Sequence, residues 1–259
     1  MNTAQQIILR LESLPGRRQT AMQVLRVLQD QNSRAAQIAS AIGTDPVLAA
    51  RVMQLANSAY YGMAGRVKRL DIAVALLGRT AIQAFAAAIL VEESTDTSHD
   101  HAIATAVAAS VLAPRLQEDP GVSFACGLVH DLGAVLLKQF DAEGYAEVSR
   151  LCVNMASDDR CHEERERWGA DHAHVGAEAL DHWGFPLEIV RAVAFHHSPD
   201  VLATPPLARA VRYGDRLAEA LSTPPERLDY AGLVPESLAR PDDIVPMLST
   251  IRQRIAQLA

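Results

Sequence analysis

Aromatic residues are scarce, at 5% of 259 residues, and Ala, Leu and Val dominate the apolar composition. Small and straight side chains keep helix propensity high. No run alternates apolar and polar residues between turn signals, as a half-buried strand does. No internal repeat of useful length is present. These absences argue against a sheet protein and predict an all-α fold of about a dozen helices.

An excess of basic charge is also lacking. The formal net charge of −7 argues against non-specific nucleic-acid binding as the main role, because that binding needs a basic surface. Arg66, Lys68 and Arg69 do gather locally, and a solvated loop is a plainer reading of them than a phosphate-binding patch. Only Lys68 and Lys138 are lysines, and no function follows from that. The three cysteines, Cys126, Cys152 and Cys161, are an odd number without a CxxC spacing. They read as reduced thiols of a cytoplasmic protein. No basic region followed by an apolar core marks a secretory signal. No uninterrupted apolar run approaches the ~18 residues of a membrane span, so none is expected.

Helix signals divide most of the chain. Ala4 to Ser13 is predicted to be helical, broken at Leu14-Pro15-Gly16, with a second helix capped by Thr20. Ser33 is the predicted cap of a third, which Gly43 ends. Asp45-Pro46 opens a fourth, with Asp as N-cap and Pro at the first helical position. Gly78 and Thr80 read as a C-cap followed by an N-cap. Glu92 to Asp100 reads as a connection, and His101 to Gln117 as an Ala-rich helix. Ser123 is the predicted cap of a helix that carries His130 and Asp131 through to Phe140. Asp158 to Arg167, densely charged, reads as an exposed helix face. Asp171 caps a helix to His182, Pro186 starts one to His197, and further helices cover Ala203–Leu221 and Asp243–Leu258.

The chemistry concentrates on Gly127-Leu128-Val129-His130-Asp131-Leu132-Gly133. Buried charge is costly unless paired or metal-bound, so an imidazole beside a carboxylate inside an apolar run calls for partners. His101 lies upstream; His172, His196, His197 and Asp215 lie downstream. Helix phase places His172 with Val175, Gly176 and Ala179 on an inward face, and His174 with Glu178 and His182 on the opposite one. Asp215 falls beside the apolar stripe Leu207, Ala210, Leu217, Leu221. His130 and Asp131 stand about 100° apart around one helix, close enough to converge on one ion. His and carboxylate without thiolate suit Fe, Mn, Co, Ni or Zn. Six or seven such groups suit two ions, about 3.5–4 Å apart, with Asp131 as bridge and candidate catalytic residue. A pocket of mutually hydrogen-bonded histidines without metal is the alternative reading, and phase does not decide which of His196 and His197 ligates.

Thr44-Asp45-Pro46-Val47-Leu48-Ala49-Ala50-Arg51-Val52-Met53-Gln54-Leu55-Ala56-Asn57-Ser58-Ala59-Tyr60-Tyr61-Gly62 resembles the signature of HDOD domains, bacterial signalling domains related to HD-type metal phosphohydrolases. Ile72 to Gly78, the Gly127–Gly133 run, Glu164 to Gly176, and Trp183 to Val190 with His196-His197 are similar to further segments of that family. The resemblance implies a helical bundle. It would comprise an HDOD domain over residues 14–221, divided into an N-terminal half (14–97) and an HD-like half (98–221), with a helical tail (222–259). It also implies a signalling role through partner proteins, because HDOD domains commonly lack a full metal set. Here His101, His130, Asp131, His172, His196, His197 and Asp215 are all retained, which keeps open a metal-dependent phosphohydrolase acting on a nucleotide or other phosphoester. Three departures weigh on that alternative. Ala134 replaces the Lys of the HDxGK form, for which Lys138 is a distant substitute. Ser198-Pro199 replaces the Gly-Tyr-Pro signature of cyclic-di-GMP phosphodiesterases. Thr97 stands where a Glu would bind a third metal.

Overall fold

A computed structural model describes residues 3–12, 17–58, 61–63, 66–91, 96–152, 157–198, 204–223 and 230–258. Among these residues the chain is all-α, without a strand. The first five helices are α1 (Thr3–Glu12), α2 (Arg17–Gln29), α3 (Ala35–Ile42), α4 (Pro46–Ala56) and α5 (Leu70–Val91). α5 packs against α2, α3 and α4, and reaches α7 of the second half. That half comprises α6 (Asp96–Leu112), a 3-10 turn at Ala113–Leu116, α7 (Pro120–Val129), α8 (Leu132–Phe140), α9 (Ala142–Leu151), α10 (Ser157–Trp168), α11 (His172–His182), α12 (Leu187–Phe195) and α13 (Pro206–Ser222). The short α14 (Tyr230–Leu233) and then α15 (Pro241–Ala256) follow, and α15 lies against α6 and α13.

Local chemistry explains most boundaries. Asp45 accepts the Leu48 N–H at 3.2 Å and Pro46 opens α4 as expected. Asn57 closes the loop after α4, donating to Val67 O and accepting from Val67 N, each at 2.8 Å. Gly78 has φ 79°, so α5 is two helical pieces joined at a left-handed glycine. Other expected starts move. α2 already begins at Arg17, and Thr20 lies inside it. Ser33 does not cap α3; its Oγ accepts from Arg79 at 2.8 Å, and Arg34 is the cap residue. α6 starts at Asp96 rather than His101. Asp119, with Pro120 behind it, caps α7 in place of Ser123, which is fully buried inside the helix. The break expected at Leu14-Pro15-Gly16, the Thr97 side chain and Pro199 lie outside the described residues.

The largest correction concerns the central run. His130 and Asp131 are not one continuous helix; they form the turn between α7 and α8, with Asp131 at φ −95°, ψ 14°. Segments 70–89 and 120–140 are long and apolar enough to cross a membrane by length and composition alone, a test that buried core helices also pass. They are 56% and 72% buried within the fold, and the second is interrupted by the His-Asp turn.

Close backbone packing brings the functional elements together. α6 is an Ala-rich central helix in contact with α7 and α13. A Cβ at Gly127 on α7 would stand 2.7 Å from Ala106 Cα, and one at Gly214 on α13 would stand 2.8 Å from Ala109 N. α8 meets α11 as tightly: a Cβ at Gly133 would stand 1.9 Å from His172 O and 2.6 Å from Gly176 N. Interiors are packed to crystal density, so glycine at these crossings is a steric requirement.

Candidate metal centre

The seven singled-out residues converge from five places: His101 from α6, His130 and Asp131 from the α7–α8 turn, His172 from the start of α11, His196 and His197 from the end of α12, and Asp215 from α13. His101 Nε2 is 2.9 Å from Asp215 Oδ1. His130 Nε2 stands 3.5 Å from Asp131 Oδ2 and 3.8 Å from Asp215 Oδ1. The other oxygen of Asp131, Oδ1, faces His172 Nε2 at 3.4 Å and His196 Nε2 at 3.7 Å. His172 Nε2 and His197 Nε2 are 2.8 Å apart. Two groups result, Asp131–His172–His196–His197 and His101–His130–Asp131, each with ligand atoms within 4.8 Å of one another. Asp131 belongs to both.

The outer ring nitrogens of His130, His172 and His196 are each occupied. His130 Nδ1 donates to Gly127 O at 2.8 Å and His196 Nδ1 to Val193 O at 2.6 Å. A carbonyl oxygen only accepts, so the Nδ1 proton is fixed in both rings. His172 Nδ1 donates to Glu164 Oε2 at 2.6 Å, and the His172 backbone N–H donates to the same oxygen at 2.8 Å. The Nε2 atoms of these three rings therefore point inward. His130 Nε2 and His196 Nε2 are buried there without a hydrogen-bond partner. An unsatisfied buried nitrogen costs about 1–3 kcal/mol, and two aimed at one carboxylate call for a cation.

Charge gives the same direction. Burial opposes a charge on His130, but Asp131 and Asp215 outweigh it and lift its pKa to about 9. Burial likewise opposes charge on His172, and Glu164 and Asp131 overcome it. His197 is held down to about 2 by burial, with His196 and His172 adding to the effect. Burial would raise Asp131, but His130, His196 and His172 hold it well below the usual carboxylate range. The carboxylates of Asp131, Asp215 and Glu164 thus favour positive charge here, which divalent cations would supply.

The donor set fits a metal. Bonds of about 2.0–2.2 Å put neighbouring ligand atoms roughly 3.0–3.5 Å apart, close to the separations around Asp131. Imidazole and carboxylate without thiolate select first-row divalent ions. His174 is excluded, as its phase predicts: its side chain is 62% exposed and pairs with Glu178.

Glu164 is the residue the sequence reading missed. It is completely buried and also takes Arg160 Nε at 3.0 Å, while Arg160 donates to the Tyr145 hydroxyl. The charged stretch 158–167 is thus only partly an outer face. Glu164 lies between Cys161 and Trp168 at helical spacing, both buried, and that stripe is the signal that marks it. Lys138 is exposed, and Arg69 of the basic loop is paired with Asp71 at 2.5 Å.

Comparison with known proteins follows the same lines. An uncharacterized protein of Treponema pallidum (strain Nichols) is 23% identical over 207 residues, 73% of this chain and 38% of that protein. A ribonuclease Y of Opitutus terrae is 31% identical over 98 residues, 38% of this chain and 13% of that enzyme. This chain therefore spans well under half the length of either relative. Among solved structures, a "Putative phosphohydrolase" from Shewanella amazonensis superposes with a TM-score of 0.71 at 23% identity, covering 100% of this chain and 99% of that one. An HDOD domain protein from Geobacter sulfurreducens gives 0.68 at 22% identity, covering 98% and 95%. A "Putative signal transduction protein" from Marinobacter aquaeolei gives 0.65 at 23% identity, covering 96% and 60%. These likenesses establish the fold. The HDOD domain family model matches residues 14–199, most of the chain, and the protein belongs to the HDOD domain family.

Proposed function

We propose that this HDOD domain is a cytoplasmic bacterial signalling module that holds two divalent metal ions and acts through partner proteins. On this reading the HDOD unit is residues 14–221 and the remainder is a helical tail. The observation that carries the metal is the pair of buried, unpartnered Nε2 atoms of His130 and His196 facing Asp131. His172, His196 and His197 would hold one ion, and His101, His130 and Asp215 the other, with Asp131 shared. Iron, manganese, nickel, cobalt and zinc all suit the donors. The signalling role is supported by family membership and by a structural neighbour named for signal transduction.

A second reading, a phosphohydrolase acting on a nucleotide or other phosphoester, is favoured by one feature of the cluster. Its inner imidazoles are buried, yet the Asp131 side chain is 35% exposed and that of His101 is 31% exposed. Solvent and a phosphate group can therefore reach the shared carboxylate. Two bound ions would supply an activated water and stabilise charge on a transferring phosphoryl group. The chain's own contribution is orientation. Gly127 O, Val193 O and Glu164 fix the three inner imidazoles by their outer nitrogens.

Metal content measured by mass spectrometry on protein purified without an affinity tag tests the proposal. About two equivalents in wild type are expected, as for a two-metal site, and none in Asp131→Ala. No metal in wild type after incubation with Mn, Fe and Zn overturns it. A panel of phosphoesters with Mn or Fe, against a His130→Ala control, then separates hydrolase from signalling module.

A further inference from the structure

Beside the proposed metal centre, with His101 lining both, lies a cavity of about 830 Å³. Side chains of six helices line it, α4, α5, α6, α7, α13 and α15, and it is about half open to solvent. Its size falls within the roughly 300–1,000 Å³ of small-molecule sites.

The lining specifies the ligand. Branched aliphatic side chains dominate it, among them Leu55, Ile89, Ile103, Leu128 and Leu221, with Phe85 and Phe124. Its few polar side chains include Gln54 and Ser222. A nucleobase would set its donors and acceptors against the aliphatic part of this wall, where each unpaired group costs about 1–3 kcal/mol. An alkyl chain has none to lose and gains by burial. The fixed charges on the wall are Arg51 and Arg252 against Asp100 alone. In a chain of net charge −7 that is a local reversal of sign, and guanidinium groups are suited to binding a carboxylate.

We propose that this cavity binds a free single-chain amphiphile with a carboxylate head, the chain among the aliphatic side chains of α4 to α7 and the head toward Arg252. α15, which supplies Arg252 and Ile255, lies beyond the residues 14–199 matched by the family, so this wall of the cavity comes from the tail. The inference does not depend on the metal reading.

Calorimetric titration of the full chain with decanoate, decylamine and decanol, all below micelle formation, tests it. Decanoate is expected to bind saturably, and decylamine and decanol at least about tenfold more weakly, the charged hydrogen bond being worth roughly that factor. Arg252 is exposed and donates to Leu221 O at 3.4 Å; Arg252→Glu, checked for folding by circular dichroism, should weaken decanoate by about tenfold or more. Ala88→Trp, checked for folding by circular dichroism, fills the cavity and should abolish binding. No saturable decanoate binding, equal binding of decylamine, or undiminished binding by Arg252→Glu overturns the proposal. If Ala88→Trp does not fold, the charge series alone decides.

Discussion

One oxygen of Glu164, Oε2, receives both the Nδ1–H and the backbone N–H of His172, at 2.6 and 2.8 Å. The carboxylate fixes the ring and the helix start together, since His172 is the first residue of α11. Arg160 holds the other oxygen at 3.0 Å.

Removing that brace should be felt in metal affinity first. Glu164→Ala is expected to weaken binding by about 10–100-fold, the usual effect of losing a ligand's outer hydrogen bond. Glu164→Gln, which keeps an acceptor oxygen, should lose less. Competition with a chromogenic chelator reads both. Loss of the charged hydrogen bond should also lower unfolding free energy by about 1–3 kcal/mol, measured in urea. Equal affinity in all three proteins would sink the assignment.

Because Asp131 is common to both ligand groups, single substitutions should differ in stoichiometry. Asp131→Ala is expected to lose both ions. His101→Ala should lose only the ion held with Asp215, and His197→Ala only the one held with His172 and His196. Metal-to-protein ratios near about two, zero, one and one for wild type and the three variants are the signature of a shared bridge. A ratio near zero in all three variants would point to a single site instead.

Gly133→Ala should be destabilising out of proportion to its size. The added methyl meets His172 O and Gly176 N, both main-chain atoms that cannot rotate away. Overpacking typically costs about 1–3 kcal/mol, and the upper end is expected here. Gly62→Ala is a useful contrast: among the described residues a Cβ there meets no atom within 4 Å, and its φ of +67° opposes the change. Thermal melts of the two variants should separate clash from backbone strain.

Asp141 gives a pH dependence away from the metal centre. It accepts from Gly144 N at 2.9 Å at the start of α9, and from Trp168 Nε1 at 3.2 Å on α10. The Gly144 hydrogen bond, then that of Trp168, hold its carboxyl below the ordinary value of 3.8. A depressed folded-state pKa gives stability that is complete above the unfolded value and lost as pH falls through the folded one. Asp141→Ala should therefore be less stable than wild type by about 0.5–2 kcal/mol at pH 7, the usual worth of an N-cap. The gap should narrow only below about pH 4. Urea unfolding at pH 7, 5 and about 3 measures it.

Much of this was legible from single residues. The helical phase of His172 against His174 separated inward from outward, because α11 is regular and capped by Asp171 as expected. Asp215 stood out as a carboxylate on an apolar stripe, and it is buried next to His101. The turn at His130-Asp131 was not legible: apolar residues continue through it without proline, so periodicity reads a single helix where there are two. Glu164 was hidden among like neighbours. Composition cannot tell which acid of a charged run turns inward, and only its spacing from Cys161 and Trp168 does.

The break between α7 and α8 has a consequence for biosynthesis. Residues 120–140 have the length and composition of a membrane span, and a nascent chain is sorted on such segments before it folds. Aspartate at the centre of an inserting helix costs about 2.5–3.5 kcal/mol, and Asp131 sits near the midpoint. The carboxylate proposed to join two ions in the folded protein thus also disfavours uptake of this segment into the bilayer during synthesis.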